Sequence, residues 1–155
     1  MDDLNWLAAH RFQEALRDDY SWTFVFDGEV RVNVGCLWRL LEEGSICTTS
    51  QDDGHKFGRL AAVDAALEVN QRLAASTSSR QAGSTSSPLG GVAVTSVVLR
   101  DGTLDLAFHF ATGHVLQLIP ESSGYEAWSV DSPTGQFVAA GGGNLATYGP
   151  RADGS

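Results

Sequence analysis

The stretch WTFVFDGEVRVNV, residues Trp22 to Val34, decides the fold. Bulky apolar residues recur at every second position on both sides of a DG pair, the period of a strand with one buried face. DG invites a two-residue type I′ turn. That register would set Phe26 opposite Glu29 and Phe24 opposite Arg31, mixing the two faces. A three-residue loop, Asp27 to Glu29, instead sets Phe26 across from Val30 and Phe24 across from Val32. All the bulky side chains then share a face, so parity predicts an antiparallel hairpin closed by three residues.

The same pattern returns as LAFHFATGHVLQL, Leu106 to Leu118. Trp22, Phe24, Phe26, Val30, Val32 and Val34 fall on Leu106, Phe108, Phe110, His114, Leu116 and Leu118. Five of these six pairs are apolar in both copies, and Asn33 and Gln117 between them are both amides, which a chance match would not supply. The second loop spans Ala111 to Gly113, where glycine tolerates a left-handed conformation. Farther on, WRLLEEGSICT matches WSVDSPTGQFVA: a tryptophan, a polar turn with Gly44 or Gly135, then Ile46 or Phe137 entering a strand. Upstream, RFQEALRDD matches VTSVVLRDG. The match predicts a strand there although Leu4, Leu7, Arg11, Ala15 and Leu16 would also suit a helix, with residues 3–8 a helical turn leading in. The chain therefore reads as an internal duplication of a four-strand meander.

Between the copies, Leu60, Val63, Leu67 and Ala74, with Ala66 and Val69, fit one stripe of an amphipathic helix over residues 59–75. STSSRQAGSTSSP follows with almost nothing to bury, a flexible linker over residues 76–90. The expected fold class is α+β, mainly β. Two similar antiparallel meanders pack as a sandwich or barrel-like roll in a single domain, residues 1–155, with repeats at about 10–50 and 91–148.

Nineteen acidic against ten basic residues leave a net charge of −9, which repels phosphate backbones and anionic lipid and favours a cationic protein partner. Nucleic acid and membrane are thereby disfavoured. The opening MDDLNWLAAHRF lacks a basic leader region, and no window has the run of about 18 apolar residues of a membrane span, so a cytoplasmic location is expected. Cys36 and Cys47 lack the paired spacing of zinc ligands and read as reduced thiols, with no metal or cofactor implied.

CTTSQDDGHKFG carries Ser50, Asp52 and His55, the residue types of a hydrolytic triad. Triads depend on a base held between nucleophile and acid by the surrounding fold, and three residues of one loop seldom achieve that. A solvent-facing loop is the better reading, with Asp52, Asp53 and His55 as candidate partner contacts. Cys47 with His55 is the remaining thiolate and base pair. His114, at a strand end in the position of Val30, is expected to be a capped, hydrogen-bonded histidine. Counting by twos from Trp128 sets Glu126 and Val130 on one face, as Cys36 and Leu40 flank Trp38. A carboxylate at the margin of the core would need a partner, so Trp38, Glu126, Trp128, Tyr125 and His114 form a candidate ligand site. In AAGGGNLATY the three glycines precede a strand and no lysine follows, so a bend is expected rather than a phosphate cradle.

CLWRLLEEGSICTTSQDDGHKFG and SSGYEAWSV together resemble a family of small uncharacterised bacterial proteins with W-R-L, D-x-G-H-x-F-G and Y-E-A-W motifs. The resemblance covers most of the chain outside the Ser-rich run. It implies a compact bacterial domain in which Trp38, Glu126 and Trp128 are characteristic, and it transfers no catalytic residue. The leading expectation is a non-catalytic binding protein, an immunity or accessory protein, that engages a cationic protein as a monomer or homodimer. A small-molecule binder with its pocket near Trp38, Glu126 and Trp128, and a Cys/His or Ser hydrolase, are the alternatives.

Overall fold

In the computed structural model, described over residues 4–19, 21–74, 91–121 and 124–149, the deciding stretch forms strands β2 (Trp22–Phe26) and β3 (Val30–Val34). Phe26 pairs with Val30, Phe24 with Val32 and Trp22 with Val34. Gly28 and Glu29 take positive φ to close the three-residue loop. Its counterpart, β7 (Leu106–Phe110) and β8 (Val115–Ile119), repeats the register with Phe108 on Leu116 and Leu106 on Leu118. β1 (Phe12–Arg17) and β6 (Val94–Leu99) precede these hairpins. β4 (Leu37–Glu42) with β5 (Ser45–Thr49), and β9 (Trp128–Ser132) with β10 (Gly135–Ala140), follow them, so each copy holds five strands rather than the four expected. β11 (Asn144–Tyr148) extends the second copy alone.

The two sheets have orders β1-β2-β3-β9-β10-β11 and β5-β4-β8-β7-β6, all antiparallel, and do not close into a barrel. Each sheet therefore joins the first three strands of one copy to the fourth and fifth of the other. Val32 pairs with Val130 and Leu40 with Leu116 at the two exchange seams. The copies interlock instead of packing as separate meanders, and neither copy completes a sheet alone. Where the copies meet at their starts, Arg11 bridges Ala93. β1 carries a bulge between Phe12 and Glu14, and β6 carries one between Val94 and Ser96. Phe12 thus corresponds to Val94, one residue out of step with the match drawn from the shared LRD. The longer β6–β7 loop absorbs the difference.

The faces that meet are the bulky ones. Phe26 stacks on Phe108 at 5.6 Å, and Phe24 meets Trp38 edge-on at 5.3 Å, each pair spanning the two sheets. Burying one such ring contributes about 1.5–3 kcal/mol before conformational entropy is charged against it. The turn expected near residues 3–8 is a 3-10 turn, Asn5–Leu7, and it buries Leu7.

The helix α1 is Ala65–Leu73, six residues shorter at its start than the periodicity suggested. Asp64 caps it by accepting from the Leu67 amide, and the Asp53 carboxylate accepts from the Ala65 amide at 2.9 Å. These two carboxylates satisfy orphan donors of the first turn and fix where the helix begins. The buried stripe is Ala65, Val69 and Leu73, with Ala66 and Ala74 packed against the core; of the expected stripe, Val69, Ala66 and Ala74 hold, whereas Leu60 is fully exposed and Leu67 half exposed. Ile46 enters β5 as expected and is 58% exposed. A bulge between Leu40 and Leu41 sets Thr48 across from Leu40, in the place that Phe137 takes across from Val130. The linker 76–90 lies outside the described residues.

Asparagines cover the outer edges of β1 and β6. The Ala15 amide donates to Asn70 Oδ1 at 2.7 Å, and Asn70 Nδ2 donates back to the Ala15 carbonyl at 3.1 Å. On the equivalent residue of the second copy, the Val97 amide donates to Asn5 Oδ1 at 3.0 Å. Unpaired strand edges invite further pairing, and these side chains occupy the backbone groups that would do it.

Candidate functional site

The polar loop after β5 is a structural tie. Thr49 and Asp52 form a capping box around the 3-10 turn Ser50–Asp52. The Trp38 amide donates to Ser50 Oγ at 3.1 Å. Asp53 holds the helix start and also meets Arg17 Nε at 3.1 Å. His55 is exposed and stacks on Phe57 with ring centres 5.7 Å apart. Among the described residues no hydrogen bond links the side chains of Ser50, Asp52 and His55. The residue types of a triad are present, each engaged elsewhere, and its geometry is not.

Neither thiol is poised as a nucleophile. Both cysteines are free. Burial, reinforced by the nearby Glu121 charge, pushes Cys36 up to about 12. Cys47 is also raised, first by burial, although Arg72 pulls the other way. The thiolate is the reactive form, so both shifts suppress reactivity at neutral pH.

The five residues expected around the tryptophans do not converge. Trp38 and Trp128 are 0% and 1% exposed, so the seam between them is closed to solvent. Trp128 Nε1 donates to the Leu104 carbonyl at 2.9 Å, whereas Trp38 Nε1 is buried with no partner among the described residues. Glu126 is exposed and Tyr125 is 81% exposed. β9 begins only at Trp128, so counting by twos does not carry back to residue 126, and Ala127 turns inward instead. His114 Nδ1 lies 2.7 Å from Thr112 Oγ1, which meets half of the expected capping, while its buried Nε2 has no hydrogen-bond partner among the described residues. The glycine run is the 3-10 turn Gly141–Gly143, and a Cβ at Gly143 would collide with the Gly102 carbonyl, so close backbone approach explains that glycine.

Two arrangements were missed in the sequence. Glu42 Oε1 lies 3.9 Å from each of Arg72 Nε, His114 Nε2 and Cys47 Sγ, and Arg72 pairs with Glu68 at 2.8 Å. Only the Glu68 and Arg72 spacing of four was legible beforehand. The second brings further carboxylates beside the loop of Asp52 and Asp53, which also carries the exposed cations Lys56 and Arg59. The Arg17–Asp53 pair draws the end of β1, with exposed Asp18 and Asp19, to the loop carrying Asp52 and to the helix start at Asp64. Among the described residues no group of three or more His, Cys, Asp or Glu could hold a metal ion, and no helix is long and apolar enough to cross a membrane. No protein-family model, curated protein or solved structure compared with the chain matches it.

Proposed function

We propose that this protein is a non-catalytic binding protein that engages a cationic protein through its acidic face, acting as an immunity or accessory protein in a bacterial cell. The observation that carries the reading is the net charge of −9, with Asp18, Asp19, Asp52, Asp53 and Asp64 grouped around the end of β1 and the start of α1. Like charges held together in this way raise the local potential and steer an oppositely charged partner. Arg17 offsets part of it and keeps the group together.

The test is a pull-down from native lysate at low and at moderate salt, with the wild type beside an Asp18→Asn, Asp19→Asn, Asp52→Asn variant. A basic protein retained at low salt, weakened by added salt and lost with the variant supports the proposal. Recovery of no basic protein at either salt, or equal recovery by the variant, overturns it.

A further inference from the structure

The outer face of the five-stranded sheet holds a depression of about 320 Å³ whose lining includes Arg39, Arg100, Gln117, Asp105, Ala107 and Val98. Arg39, Gln117, Ala107 and Val98 stand side by side on one cross-strand row. Their chain neighbours Trp38, Leu40, Leu116, Leu118, Phe108 and Val97 face the core. Ala107 is the small residue of that row, and the long side chains around it leave the hollow. Val98, 54% exposed, adds an apolar wall.

Charge distinguishes this hollow from the rest of an acidic molecule. Arg39 Nε donates to Gln117 Oε1, which fixes the guanidinium and leaves its terminal nitrogens available. Among the described residues no carboxylate lies within ion-pair distance of Arg39 or Arg100. Asp105 also lines the hollow, and the Arg100 amide donates to its carbonyl at 2.9 Å.

The duplication supplies an internal comparison. The equivalent row of the other sheet is Leu16, Thr23, Asn33 and Ser129. There Asn33 is bonded to Thr23, Ser129 and Asp131, and Ser129 stands in the place of Arg39. One row carries no arginine; the other carries Arg39, with Arg100 lining the same hollow.

We propose that the depression binds a small monocarboxylate with a compact apolar body, its carboxylate held by Arg39 and Arg100 and its body seated over Ala107 and Val98. The volume falls at the small end of the range of about 300–1,000 Å³ for ligand cavities. Guanidinium forks match carboxylate geometry, and Asp105 in the lining offsets one of the two positive charges, which favours a monoanion. This site is distinct from the acidic face and stands or falls independently of it.

The test titrates benzoate, with benzamide as its neutral isostere, into isotopically labelled full-length protein and follows backbone chemical shifts. Benzoate is expected to give saturable shifts at Val98, Ala107 and Gln117 in the millimolar range, with benzamide weaker by about tenfold, the difference one hydrogen bond to a charged group makes. Arg39→Gln and Arg100→Gln should each weaken benzoate by a similar factor, and Ala107→Leu should fill the hollow and abolish binding. Arg100 is exposed, so Arg100→Gln keeps the test decisive even if Ala107→Leu disturbs packing. Absence of saturable shifts at these residues, equal shifts with benzamide, or full binding by Arg100→Gln overturns the proposal.

Discussion

Trp38 and Trp128 occupy equivalent places in the two copies, both buried, yet among the described residues only Trp128 has a partner for its indole N–H. Replacing each with phenylalanine removes similar volume from the core, and the packing loss of about 1–3 kcal/mol is common to both. The polar contributions differ in sign. Trp128→Phe deletes the bond to Leu104 and leaves that carbonyl without its donor, a further loss of about 1–3 kcal/mol. Trp38→Phe removes a buried donor that has no acceptor, which returns about 1–3 kcal/mol and offsets the packing loss. Trp128→Phe should therefore be the more destabilising by at least about 2 kcal/mol. Urea unfolding of the two variants and the wild type, with equal slopes confirming a common unfolded state, measures the difference. Equal losses, or a greater loss from Trp38→Phe, would refute the reasoning.

Two further perturbations address the core thiol and the sheet edge. Cys36 is pushed up from 9.0 to about 12 by burial and the nearby Glu121 charge. The unfolded thiol loses its proton before the folded one does, so this contribution is complete below pH 9 and is lost as pH rises toward 12. Stability should fall there by at most about 1.4 kcal/mol per pH unit, and denaturation midpoints of Cys36→Ala should show a shallower fall; identical slopes would contradict the assignment. Asn70→Ala removes two bonds to Ala15 and should cost about 1–3 kcal/mol, with faster hydrogen exchange at the Ala15 amide; unchanged protection would show that the clamp does not cover that edge.

The parts of the fold legible in the sequence were those governed by short-range parity. Alternation about Asp27–Glu29 fixed the pairing of Phe24 with Val32, and the same alternation repeated at Phe108 and Leu116. Capping was legible only in hindsight: Asp64 lies inside the run that periodicity assigned to helix, and its carboxylate, with that of Asp53, decides where the helix starts. The candidate site around Trp128 failed because alternation was carried past the strand's first residue to Glu126. The two arginines of the outer-face depression stand sixty-one positions apart, and no local pattern joins them.

By itself, then, the sequence determined that there are two copies, which strands hairpin together, and which faces are apolar. Only the tertiary structure decided that β4 leaves its own copy to pair with β8, and β9 its own to pair with β3. The physical reason is that alternation specifies which face of a strand turns inward and is silent about which neighbour lies beside it. An apolar face is equally well buried in either sheet, and partner choice depends on how side chains far apart in the chain fit together, such as Val32 against Val130.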